Sequence, residues 1–186
     1  MNVSKKTNTI AKLGVLGAIS IVLVALIHLS IFPAVSFLEY DPADIPILLG
    51  TFALGPWAGL ALTVVVSVIQ GVTVSAASSW YGIVMHVIAT GTYVIVAGLI
   101  YKNHKTKKGA IVSLICGTLS MAAVMIPANL LLTPIYVQMV GVPTEAAKPM
   151  VIGLLGWIIL FNIFKAGVNS IVTFFVYKRV SPILHK

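Results

Sequence analysis

The sequence predicts an all-α membrane protein, six transmembrane helices in one compact bundle formed by a single domain over residues 1–186, and three observations carry that prediction. Hydrophobic residues make up 59% of the chain and charged residues only 9%, where soluble domains carry about a quarter charged residues. The mean hydropathy is +1.08. A spanning helix takes about 20 apolar residues, so six of them consume nearly all of the 186 residues and exclude a fused soluble catalytic module.

The charges set the expected orientation. Lys5, Lys6 and Lys12 precede the first apolar run, Lys102, Lys105, Lys107 and Lys108 fill one short connection, and Lys178, Arg179 and Lys186 close the chain. The positive-inside rule places these in the cytoplasm, together with both termini. Glu39, Asp41, Asp44 and Glu145 lie in connections that alternation puts outside, with Lys148 among them. The net charge of +8 therefore flanks apolar spans, and without an aromatic-basic surface motif it does not describe a nucleic-acid partner.

Taken in order, the first span is expected from about Ile10 to Leu29, retained because no small-residue cleavage site interrupts it. Its Gly14, Gly17 and Ala18 permit close approach by another helix. Ser30 to Pro46, with three prolines and three acids, reads as an irregular external loop. Asp41 is expected to cap a second helix, Pro42 to Ala53, with Pro42 in its first turn and Asp44 at the positive dipole end. At 1.5 Å per residue that helix reaches about 18 Å, short of a bilayer core of about 30 Å. A turn at Leu54-Gly55-Pro56-Trp57 follows, with Trp57 as an interfacial anchor, and then a third helix from Ala58 to Val72.

Thr73 to Ser79 is expected as an uncharged external loop, Trp80 to Tyr101 as the fourth span and Gly109 to Leu132 as the fifth, bent near Pro127. Thr133 to Pro149, with three prolines, reads as a second external loop. Met150 to Tyr177 forms a long sixth span.

Polar groups inside these spans are the candidate site, because an ionisable or amide side chain is costly in hydrocarbon and turns towards a cavity or a neighbouring helix. Lys165 lies midway along the sixth helix. Asn162, Lys165 and Asn169 are spaced i, i+3 and i+7 and share one face, and Asn129 of the fifth helix can meet the same space. Amides plus one fixed cation suit the polar edge of an aromatic heterocycle or an anionic group. The alternative is that the asparagines join helices and that Lys165 pairs with Asp41 or Asp44. The absence of any acid within a span argues for the ligand reading. Gln70 and His86 read as helix-contact hydrogen bonders.

Enzymatic signatures are lacking. There is no H-E-x-x-H, G-x-S-x-G or phosphate loop, and no intramembrane acid for proton coupling. Cys116 alone supports neither a disulfide nor a metal site, and no cofactor is expected.

Tyr40-Asp41-Pro42-Ala43-Asp44-Ile45-Pro46 before a short helix, followed by Phe52-Ala53-Leu54-Gly55-Pro56-Trp57-Ala58-Gly59, resembles the substrate-binding S components of energy-coupling factor (ECF) vitamin transporters, and among them most closely the riboflavin-binding members. The resemblance covers nearly the whole chain. It implies that Asn129, Asn162 and Lys165 hydrogen-bond riboflavin, the transported ligand, and that Leu38, Tyr40 and Asp41 help to line and close the pocket. Members often carry an alanine pair in the first helix for docking on the coupling subunit, and Gly14 and Ala18 stand in its place. The implied partners are a transmembrane coupling protein and two ATPase subunits, all at the cell membrane. An S component for another vitamin, or a facilitator acting alone, are the rival readings.

Overall fold

A computed structural model describes residues 3–184, with side chains omitted at residues 3–5, 77, 79 and 181–184. Lys186 and the side chain of Lys5, both expected at the cytoplasmic face, lie outside the described residues. The order is α1 (Val3–Leu26), α2 (Asp44–Leu54), α3 (Pro56–Val72), α4 (Ser79–Asn103), α5 (Lys107–Met139) and α6 (Thr144–Leu184), with single 3-10 turns at Pro33–Val35 and Ala76–Ser78. Four of these helices are long and apolar enough to cross a membrane, and α2 and α3 are shorter apolar helices. The only extended pairing among the described residues is an isolated bridge between Leu29 and Tyr40.

Neighbouring contacts arrange the helices around α2. α3, α4, α5 and α6 pack in sequence, α1 lies on α2 and α3, and α2 touches α1, α3, α4 and α6. With 11 residues, α2 is about 16 Å long and fills only the half of the bundle nearer the lysine connection between α4 and α5. The other half is left for the connection 27–43 and an internal cavity. Apolar side chains from all six helices, among them Leu16, Ile47, Phe52, Val66, Tyr93, Leu114 and Ala166, form the core.

Close approach at the α2–α3 corner depends on glycine. Gly55 adopts φ 102° to end α2, with its N–H donating to the Thr51 carbonyl at 2.9 Å, and Pro56 begins α3 at once. A Cβ at Gly98 of α4 would stand 2.8 Å from both Pro56 Cβ and Thr51 Cγ2. That leaves no room for a methyl group.

Several sequence-based boundaries are corrected. α5 continues through Pro127 and Pro134 to Met139, and α6 begins at Thr144, so the expected loop Thr133 to Pro149 shrinks to residues 140–143. Proline breaks a helix by removing one donor and crowding the preceding turn, but in a membrane bundle neighbouring groups compensate. The first helix ends at Leu26 rather than Leu29. Asp41 does not cap α2 directly: Ala43 occupies the N-cap position without a side-chain cap. Asp41 Oδ1 instead accepts from the Ala43 N–H at 3.0 Å, an Asx turn just before the helix. Cys116 is half-buried on α5.

Candidate functional site

The cavity beside the α2 N-terminus has a volume of about 480 Å³. Its walls come from the halves of α1, α3, α4, α5 and α6 away from the lysine connection, and the connection 27–43 covers it. Met85, Met121, Met125, Ile158 and Phe161 make an apolar slot, and Asp41, Asn129, Asn162 and Lys165 set polar groups along its edge. Methionine sulfur is polarizable and adapts to flat aromatic surfaces.

Tyr81 and Tyr136 on the same wall stack with centroids 4.3 Å apart. The Tyr81 hydroxyl meets Thr133 Oγ1 at 2.7 Å, and that hydroxyl donates to Asn129 Oδ1 at 3.0 Å. Asn129 Nδ2 donates to the Met125 carbonyl at 2.8 Å, and Asn162 Nδ2 to the Ile158 carbonyl at 2.8 Å. Each amide is thus held by its own helix, one turn back, with its rotamer fixed at the cavity wall.

At the cavity floor the expectation of an unneutralised lysine fails. Lys165 Nζ donates to Asp41 Oδ2 at 2.7 Å, with both side chains buried. Asp44, at the first turn of α2 and wholly buried, accepts from Thr90 Oγ1 at 2.9 Å and Asn169 Nδ2 at 3.3 Å, and lies 3.1 Å from His86 Nε2. His86 Nδ1 meets Ser67 Oγ at 2.7 Å. Two carboxylates, one ammonium and one imidazole therefore share one buried cluster, from which Asp41, Lys165 and His86 reach the cavity lining. An acid does lie in an apolar helix, and it is Asp44. His86, which lines the cavity, and Asp44, buried behind the lining, are the residues of this cluster that sequence reasoning gave no part in ligand binding. The missed signal was an acid inside the apolar run of α2, which reads equally well as a favourable charge at a helix start.

Of the expected ligand contacts, Leu38, Asp41, Asn129, Asn162 and Lys165 line the cavity, and Tyr40 and Asn169 do not. Those two brace it from behind. The Tyr40 hydroxyl donates to Asn169 Oδ1 at 3.1 Å, and Asn169 Nδ2 donates to the Asp41 carbonyl at 3.2 Å. Burial first, then the neighbouring Asp41 charge, raises the Tyr40 phenol above its ordinary value, so it remains a donor at neutral pH. Gln70 and His86 also line the cavity.

The cover is tied down at both ends. Leu29 and Tyr40 exchange backbone hydrogen bonds of 2.9 and 2.8 Å, while Phe32 lies against Trp157, Phe161 and Phe164, and Tyr40 against Phe164. Loop closure, the ion pair and the aromatic contacts all converge on α6.

On the first helix, Gly14 and Ala18 face outwards. Gly17 turns towards α3, where an added Cβ would stand 3.2 Å from Leu62, so of the three small residues it serves contact within the molecule.

A multi-pass membrane bundle with one short internal helix, and a covered polar cavity in the space that helix leaves, defines a membrane protein built around a small solute. Its relatives specify the class further. The chain belongs to the family of ECF transporter substrate-specific components, whose model matches residues 8–177. It is 29% identical over 151 residues to the riboflavin transporter RibU of Staphylococcus aureus (strain TCH60), covering 81% of this chain and 78% of that one. Over 154 residues it is 27% identical to the riboflavin transporter FmnP of Bacillus subtilis (strain 168), covering 81% of each. A solved structure of the S component of a bacterial ECF transporter superposes with a TM-score of 0.78 at 28% identity, over 97% of this chain and 99% of that chain. As a substrate-specific component it is a multi-pass protein of the cell membrane.

Proposed function

We propose that this chain is the riboflavin-binding S component of an ECF importer and that it captures the vitamin from the face opposite the lysine connection. The observation that carries the reading is the 480 Å³ cavity whose lining combines three methionines with two carboxamides and an ammonium. That volume falls in the range of sites that enclose a drug-sized ligand. A flavin offers a flat tricycle for the Met85, Met121 and Met125 slot, an edge of alternating carbonyl and N–H groups for Asn129 and Asn162, and a hydroxylated chain.

Lys165 spends one of its three N–H donors on Asp41, so two remain to meet a ligand carbonyl or hydroxyl. The names of the two relatives support riboflavin over another vitamin. With no phosphate loop in the sequence, energy comes from elsewhere: a transmembrane coupling protein and two ATPase subunits complete the importer, and Gly14 and Ala18 offer a close-approach face to the coupling protein.

The test is a titration of purified protein with riboflavin, followed by quenching of flavin fluorescence, with mass spectrometry of any small molecule that co-purifies. One equivalent of riboflavin should be bound and quenched. Stoichiometric retention of a different vitamin, with riboflavin fluorescence unchanged, overturns the substrate assignment.

A further inference from the structure

A second cavity lies at the opposite end of the molecule, and nothing in the importer reading uses it. Its volume is about 230 Å³, and it opens between the α2–α3 corner and the end of α4, with Phe52, Trp57, Tyr101, Lys102 and Lys105 in its wall. The inner wall is aromatic, since Phe52 stacks on Tyr101 with centroids 4.3 Å apart. Lys102 and Lys105 are exposed, and neither takes part in the ion pairs formed among the described residues. All four acids of the chain fall in or beside the connections at the other end. Among the described residues no side-chain carboxylate pairs with these two ammonium groups.

The depth of the cavity follows from Trp57, which is 71% exposed beside it and is the kind of amphipathic aromatic that settles at the headgroup level. From Trp57 an exposed apolar stripe continues along α3 through Val64, Val65 and Val68, which are 41%, 53% and 44% exposed. These residues follow Trp57 at seven, eight and eleven positions, so they lie on one helical face. A cationic cavity at headgroup depth, continuous with an apolar stripe running into the bilayer, has the form of an amphiphile with a negatively charged head. We propose that this cavity binds the head group of an anionic phospholipid, with Lys102 and Lys105 on the phosphate and an acyl chain along the α3 stripe. A basic cluster facing anionic lipid is attracted at the surface, and the cavity adds a fixed place for the charge.

The experiment uses the full chain in nanodiscs, with Trp80 and Trp157 replaced by Phe so that Trp57 is the sole reporter. Phosphatidylglycerol brominated on its acyl chains should quench Trp57 at about ten-fold lower mole fraction than brominated phosphatidylcholine, and inorganic phosphate at matched concentration should not relieve the quenching. Lys102→Gln with Lys105→Gln should bring the two lipids together, whereas Lys107→Gln with Lys108→Gln, an equal loss of charge outside the cavity, should preserve most of the preference. Equal quenching by both lipids in the protein with all its lysines overturns the proposal without any demand on the variants. Relief by inorganic phosphate, or equal effects of the two lysine pairs, also overturns it. None of these outcomes bears on flavin binding, which is read separately by flavin fluorescence.

Discussion

Lys165 sits at the centre of α6 and is only 7% exposed, and its ammonium is held 2.7 Å from Asp41. Taking both charges out of water is expensive, and removing one partner alone leaves the other uncompensated, at a typical cost of about 3–5 kcal/mol. Lys165→Met is therefore expected to lower the thermal midpoint of the purified protein sharply and to weaken riboflavin binding by more than ten-fold. Adding Asp41→Asn removes the stranded carboxylate and should recover most of the stability. Binding should stay weak in that double variant if the ammonium touches the ligand, and recovery of binding along with stability assigns the lysine to structure alone. Asn129→Leu should weaken binding by about ten-fold, through loss of one hydrogen-bonding group of the order of 1–1.5 kcal/mol, with the apolar slot intact. An unchanged titration curve removes Asn129 from the recognition edge. The lysine was legible in the sequence because an ionisable residue in an apolar helix is rare and costly. Its partner was legible only as the alternative reading, a pairing with Asp41 or Asp44, because Asp41 is 124 residues away and only the burial of the 27–43 connection brings the two together.

At the level of elements, the short α2 is the feature with the largest consequence. Its shortness was readable from the proline-rich entry and Gly55, as was the turn into α3, although the helix begins at Asp44 and Pro42 lies before it rather than in its first turn. That the space beyond its N-terminus becomes a covered cavity depends on how the surrounding helices close around it, which periodicity does not report. Proline misled at α5, where Pro127 and Pro134 sit inside a continuous helix of 33 residues. The α2–α3 corner carries an element-scale prediction. Gly98 meets Pro56 and Thr51 so closely that a Cβ would come within 2.8 Å of side-chain atoms and 2.9 Å of the Pro56 Cα, so α4 must move away to admit one. Gly98→Ala should destabilise the protein by about 1–3 kcal/mol, as overpacking of a well-filled core does, measured as a lower midpoint in detergent. The riboflavin affinity of the folded fraction should be unchanged, because the main cavity is lined from the other half of the bundle. A neutral melting curve would show that the corner has slack.

For the whole molecule, the charges place the lysine connection on one side of the membrane and the covered cavity on the other, and the direction of import depends on which side is which. By the positive-inside rule Lys102, Lys105, Lys107 and Lys108 are expected in the cytoplasm, and Glu39 in the cavity cover and the turn at Gly141 are then expected to face outwards. In a Cys116→Ala background, Gly141→Cys should react with a membrane-impermeant maleimide on intact cells, and Thr106→Cys only after the membrane is opened. The reverse pattern would turn the cavity towards the cytoplasm and make capture from outside untenable. Gly141 has φ 102°, a conformation strained for any other residue, so Glu39→Cys in the exposed part of the cover serves as a second outward reporter. Orientation also separates a dependent subunit from a facilitator acting alone. With the cavity facing outwards and no phosphate loop of its own, the chain in liposomes should bind riboflavin without accumulating it. Accumulation should begin only when the coupling protein and both ATPases are present with ATP. Uptake at the same rate by the chain alone would show that the cavity opens to both sides without the module, and the six helices would then form a complete transporter.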